Sequence, residues 1–164
     1  MPVFISHRTL DDSIAEDVRY RLENIHHIEC WTDDVNAQED PNTITEQILV
    51  GINKCTHLIG VITDNTVGSW WVPYEIGVAQ QALHPVASYS NKYTWQLPEY
   101  LRKWPVLKTD SDIDEFARIY KSQRVQVANS YGTIRNRESI TKSAGVIDVT
   151  NKQFENTLKR AIGQ

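Results

Sequence analysis

Cysteine is scarce in this chain: of 164 residues, only Cys30 and Cys55 carry a thiol. They form no CxxC pair and each sits in an apolar pattern, which excludes a disulfide scaffold, a zinc site and a redox dithiol and predicts two buried, reduced thiols. Long hydrophobic runs are missing too. The longest apolar stretch is about half of the roughly 20 residues needed to cross a bilayer. Met1 to His7 has no basic segment leading into an apolar one. These absences predict a soluble, cytoplasmic protein with no membrane partner. Several signatures of chemistry are also absent, among them GxGxxG, GxxxxGK[ST] and the GxSxG elbow. The five histidines, His26 and His27 included, lack the spaced partners of a ligand set. The acidic stretch Thr32 to Asn42 lacks the glycine and terminal glutamate of a calcium loop. No metal and no resident cofactor are expected.

What is present fits one globular core, with 40% hydrophobic and 23% charged residues. The net charge of -4 hides an asymmetry. Residues 1–120 hold 9 Lys and Arg against 18 Asp and Glu, and residues 121–164 hold 8 against 3. An acidic body repels a phosphate backbone, so no nucleic-acid partner is expected. The basic end reads as an extension lying along that body, which divides the chain into a main domain over 1–120 and a packed C-terminal extension over 121–164.

Strand-like runs alternate with runs of helical period from the start. Val3 to Ser6 predicts a first strand and Leu10 to Asn24 a helix, with Ile14, Val18 and Leu22 on its buried side. Ile28 to Trp31 is a short second strand. Thr43 followed by Glu46 suggests a capping box that opens a helix with Ile44, Ile48 and Ile52 inside. The continuous apolar run within His57 to Thr63 suits a central parallel strand buried on both faces. A third helix is predicted over Trp71 to Ala82, strands over Pro85 to Tyr89 and Val106 to Lys108 with a short helix from Pro98 to Lys103 between them, and a helix over Asp112 to Tyr120. Near the end, Phe154, Leu158 and Ile162 have helical spacing that Thr150 or Asn151 would cap, while 121–149 shows no clear period.

Five short strands with intervening helices predict an α/β fold: a doubly wound, flavodoxin-like parallel sheet of order 2-1-3-4-5 with a helical appendage. In that order the loops after strands one and three diverge and leave a crevice at the carboxyl ends of the strands. A pocket is therefore expected to gather residues 6–13 and 64–75.

The segment Gly68-Ser69-Trp70-Trp71-Val72-Pro73-Tyr74-Glu75-Ile76-Gly77 enters that crevice. Pro73 lacks an N–H and belongs near the start of its helix, which puts Glu75 within the first two turns and on the face of Trp71, four residues earlier. The helix dipole and Arg8 are expected to keep Glu75 ionised against an indole that excludes water, so that it can stabilise a cation. Taken alone, the pair also suits a core tryptophan beside a capping glutamate.

The pair does not stand alone. Val3-Phe4-Ile5-Ser6-His7-Arg8 resembles the first box of the Toll/interleukin-1 receptor (TIR) domain family. Trp31-Thr32-Asp33-Asp34 resembles the end of its second strand, Ile44 to Thr63 its second helix and third strand, and Asn65, Ser69, Trp71 and Glu75 the residues around its catalytic helix. The resemblance covers about residues 2–120 and lies in order and spacing rather than in any single motif. It implies the TIR fold and, for the enzymatic members, cleavage of NAD at the nicotinamide glycosidic bond by the glutamate matching Glu75.

One carboxylate suffices for that chemistry, because nicotinamide leaves as a neutral molecule and needs no proton. Glu75 then acts as an electrostatic stabiliser or as a transient nucleophile, and both stay open. The resemblance places Trp71 as a flat wall beside the ribose or nicotinamide, and Ser6, His7, Arg8, Asp33, Asn65 and Ser69 around the substrate, with Arg8 suited to a phosphate. It implies that the loop from Thr32 to Asn42 covers the pocket or docks on a neighbouring protomer. The aromatics Tyr89, Tyr93, Trp95, Tyr100 and Trp104 frame the adenine side or, as the favoured reading, pack on the sheet edge. The expected function is a NAD glycohydrolase or cyclase similar to the small TIR protein of Thoeris antiphage defence. Such an enzyme self-associates through TIR surfaces and reaches a separate effector through an ADP-ribose-derived product. A non-catalytic TIR interaction module and a nucleoside transferase-like enzyme are the alternatives.

Overall fold

The computed structural model describes residues 2–32, 41–131 and 140–164, with side chains described at all of these except 41–42, 124–131 and 140–148. Its centre is a sheet of five parallel strands: β1 (Val3–Ser6), β2 (Cys30–Thr32), β3 (His57–Val61), β4 (Val86–Tyr89) and β5 (Val106–Leu107). Their spatial order is β2-β1-β3-β4-β5, the expected doubly wound order. The register sets Ser6, the last residue of β1, opposite Gly60 of β3.

Each strand alternates its side chains between two apolar layers. Val3 and Ile5 of β1 join Ile59, Val61, Ala87 and Leu107 in one layer, whereas Phe4 joins Leu58, Val86 and Val106 in the other. Helices α1 (Asp12–Tyr20), α4 (Asp110–Tyr131) and α5 (Ile140–Ala161) cover the first face through Ala15, Val18, Phe116, Tyr120, Phe154 and Leu158. Helices α2 (Pro41–Lys54) and α3 (Trp71–Gln81) cover the second through Ile44, Ile48, Ile52, Val72, Ile76 and Ala79. The close approach of α2 to the sheet depends on a glycine, because a Cβ on Gly51 would fall 1.8 Å from the Trp31 ring.

Several boundaries differ from the expected ones. The first helix gives way after Tyr20 to a wider π turn over Arg21–Ile25, which lets the Ile28 N–H reach back to the Leu22 carbonyl at 2.9 Å before β2 begins. Helix α2 starts at Pro41, ahead of the Thr43–Glu46 pair, as proline at a first helical position allows. The short helix before β5 is only a 3₁₀ turn over Glu99–Leu101.

Helix α4 runs on from Tyr120 to Tyr131, and α5 begins at Ile140, so Thr150 and Asn151 are interior residues and not caps. Asn151 instead donates its side-chain amide to the Leu83 carbonyl, a tertiary contact. Phe154 and Leu158 enter the main core, so the appended helix is part of the packing of the sheet. Cys55 is buried and Cys30 only partly so, and both are free thiols that burial raises, Cys55 to about 12 and Cys30 further still. Neither is a thiolate at neutral pH.

Candidate active site

β1 and β3 are neighbours in the sheet, and the loops that leave their carboxyl ends meet above it. Three side-chain hydrogen bonds join them. Arg8 Nη1 donates to the Asn65 carbonyl at 2.5 Å, Asn65 Nδ2 to Asp11 Oδ1 at 2.7 Å, and Thr63 Oγ1 to Asp11 Oδ2 at 2.8 Å. The Asn65 N–H in turn donates to Thr63 Oγ1 at 3.0 Å, so one carboxylate organises the start of the β3–α3 connection. Asp11 is only 1% exposed, and these two donors offset the cost of keeping its carboxylate out of water.

Glu75 enters the same region from the second turn of α3. A helical side chain leans toward the amino end of its helix, and here that direction brings the carboxylate back to the end of β1. The Ser6 hydroxyl donates to Glu75 Oε2, and the carboxylate is 2% exposed. A glutamate this deeply enclosed on an otherwise apolar helix face is unusual, because that face carries Val72, Ile76 and Ala79 into the core. Ser69 stands just before the helix, where its Oγ accepts the Val72 N–H at 3.4 Å and so serves an otherwise orphaned amide.

Trp71 is the first residue of α3 and is 36% exposed, with its ring edge-on to Tyr74 at 6.0 Å. It is a half-open wall and not a core residue. Beside it Trp70 is 88% exposed, and Gly68 takes a φ of 83° in open space, a conformation suited to glycine in the turn that leads into the helix. His7 has its side chain largely enclosed, with Nε2 3.1 Å from Asp12 Oδ1.

The fold thus brings Ser6, Arg8, Asn65, Ser69, Trp71 and Glu75 to one end of the sheet, drawn from the two segments that the strand order selects. His7 turns instead to Asp12. Asp33 lies outside the described residues, as does most of the loop that follows it. Sequence reasoning missed Asp11, Thr63 and Tyr74. Asp11 fell within the expected 6–13 window, but nothing distinguishes it from Asp12 until the fold buries one and exposes the other.

Chemically, the site offers one enclosed carboxylate held by a hydroxyl, a half-exposed tryptophan one turn earlier on the same helix and a guanidinium on the adjoining loop. Among the described residues no group of three or more His, Cys, Asp or Glu side chains is placed to hold a metal ion. A five-stranded parallel sheet with this crevice defines a class of α/β domain in which ligands meet the carboxyl ends of the strands. The TIR domain family matches residues 3–120, most of the chain, and the protein belongs to that family. TIR domains self-associate, and some are NAD-cleaving enzymes. No curated protein matches the chain as a relative. No helix among the described residues is long and apolar enough to cross a membrane.

Proposed function

We propose that this chain cleaves the bond between nicotinamide and ribose in NAD. The observation that carries the reading is Glu75, enclosed at the end of β1, bonded to Ser6 and one helical turn from a half-open tryptophan. In the reaction the C1′–N bond breaks and its electron pair passes to the pyridinium ring, so nicotinamide departs neutral. The ribose is left as an oxocarbenium-like cation. Glu75 supplies the opposing charge in a site with little competing water, where such an interaction is stronger than in solution. Ser6 fixes the carboxylate, Trp71 flanks the departing ring, and Arg8 meets the pyrophosphate as a charge-assisted donor.

The cation is then captured by water, or by an adenine nitrogen of the same molecule to give a cyclic product. We favour the second course, with the product serving as a signal to a separate effector in a Thoeris-like antiphage system. Self-association that completes the pocket through the Thr32 to Asn42 loop belongs to the same reading.

The alternative of a non-catalytic interaction module draws on Val67 and Trp70, exposed apolar side chains on the connection between β3 and α3. The test is incubation of the protein with NAD and measurement of free nicotinamide, wild type beside Glu75→Gln, with mass spectrometry of the remaining product. Turnover that the substitution abolishes supports the enzyme. Equal and absent turnover in the assembled protein supports the module. A nucleoside transferase would instead act on free nucleosides.

A further inference from the structure

A cavity of about 250 Å³ lies at the other end of α3, between that helix, the segment entering β5 and the middle of α5. Gln80 and His84 line it from the α3 side, Lys103 and Trp104 from the β5 side, and Asn151 and Lys152 from α5. Gln80 is five residues beyond Glu75, roughly 8 Å along the helix axis, so the cavity is separate from the crevice above the sheet. α5 lies wholly beyond residues 3–120, the part of the chain that matches the TIR family, so its side of the cavity is an addition to the domain.

Size, charge and an unused ring nitrogen together describe an occupant. The volume is below the range of about 300–1,000 Å³ typical of pockets for drug-sized ligands, yet several times the roughly 30 Å³ share of a water molecule, which suits a compact organic body. Lys103 and Lys152, both exposed, line the cavity together with Glu155, whose Oε1 accepts the Val86 N–H at 3.4 Å. The Lys103 ammonium sits 3.2 Å from Gln80 Oε1 and 4.3 Å from the centre of the Trp104 ring, which places a cation beside an apolar wall.

His84 Nδ1 is buried and has no hydrogen-bond partner among the described residues. Burial lowers the His84 pKa, so the ring is neutral at pH 7 and offers a hydrogen bond rather than a charge. The wall is also held in an unfavourable backbone state. Leu83 has a φ of 58°, in the left-handed region that disfavours a residue with a Cβ, and Asn151 bonds its carbonyl there.

We propose that this cavity is a second binding site, for a compact organic anion that carries a carboxylate or a phosphate monoester. The lysines meet the anion, Trp104 meets the body and His84 Nδ1 makes the orienting hydrogen bond. The site does not depend on the proposed NAD chemistry.

The full chain is titrated at neutral pH with benzoate and, separately, with methyl phosphate, following the melting temperature and tryptophan fluorescence. At least one probe is expected to saturate and to raise the melting temperature. Saturation by benzoate alone assigns a carboxylate, and saturation by methyl phosphate alone assigns a phosphate ester. Lys152→Met and His84→Ala each weaken binding about tenfold, as expected for loss of one hydrogen bond or ionic contact in a half-open site. Lys121→Met, which removes the same charge from an exposed position on α4, leaves it unchanged. The proposal is overturned if neither probe saturates, if either site variant binds like the wild type, or if Lys121→Met weakens binding as much as Lys152→Met.

Discussion

The two ends of β3 enclose polar groups in opposite ways. At its start, His57 is packed edge-on against the rings of Phe116, Tyr120 and Phe154, with Nε2 3.0 Å from Gln123 Oε1 and Nδ1 3.1 Å from Thr56 Oγ1. Beyond its other end, Thr63 and Asn65 donate to Asp11, next to the Ser6–Glu75 pair. The aromatic cage removes charge: burial pushes His57 down to about 3, against a smaller upward pull from Gln123. The loop end instead gathers hydroxyl and amide donors around carboxylates. One strand therefore joins a base that contributes stability to a rim that holds the proposed catalytic groups, and substitutions at the two ends should separate stability from activity.

The largest expected effect is at the base. Unfolded His57 takes up a proton near pH 6.5, whereas the folded ring refuses it until about pH 3. Stability is therefore fully present above 6.5 and falls as the pH drops toward 3, by up to about 5 kcal/mol. Denaturant melts across that range should show the loss, and His57→Leu should flatten it. Asp114, held down to about 2 chiefly by its hydrogen bonds from Arg21, adds a further decline only below the ordinary carboxyl range.

Next in size is Phe154→Ala, which empties the cage from the α5 side and should cost about 3–5 kcal/mol in equilibrium unfolding. Nicotinamide release per folded molecule should stay near the wild-type value. A loss of activity without a loss of stability would erase the contrast between the two ends.

At the rim, Asp11→Ala leaves the donors of Thr63 and Asn65 without their acceptor. We expect a stability cost of about 2 kcal/mol. The reaction should slow about tenfold as the loop loses its geometry. The smallest effect is Arg8→Ala, with a KM for NAD raised about tenfold, as one charge-assisted hydrogen bond warrants, and no change for nicotinamide riboside, which has no phosphate.

The strand order was easier to read in the sequence than the side-chain partners at either end of the strand. The run Leu58–Ile62 announces a central strand, and the alternation of strands and helices was enough to give the order of all five. The strand order also selected the two loops that meet, and with them Ser6, Arg8, Asn65 and Glu75. What stayed hidden was decided by partners distant in sequence. Gln123 lies in a stretch of α4 with no clear period, and its role appears only once His57 is beside it. Asn151 reads locally as a cap because its amide competes with backbone groups, but the fold directs that amide to Leu83 and the helix runs through. Asp11 and Asp12 are indistinguishable neighbours in the chain until Thr63 and Asn65 arrive from β3.

If the enclosed Glu75 carboxylate supports the departure of nicotinamide, single-turnover release of nicotinamide from NAD separates wild type from Glu75→Gln at matched folded concentration. The glutamine keeps the size and a hydrogen-bond acceptor for Ser6 but removes the charge, so release should fall about 100-fold or more with NAD still bound. Wild-type turnover that the neutral variant reproduces would contradict it.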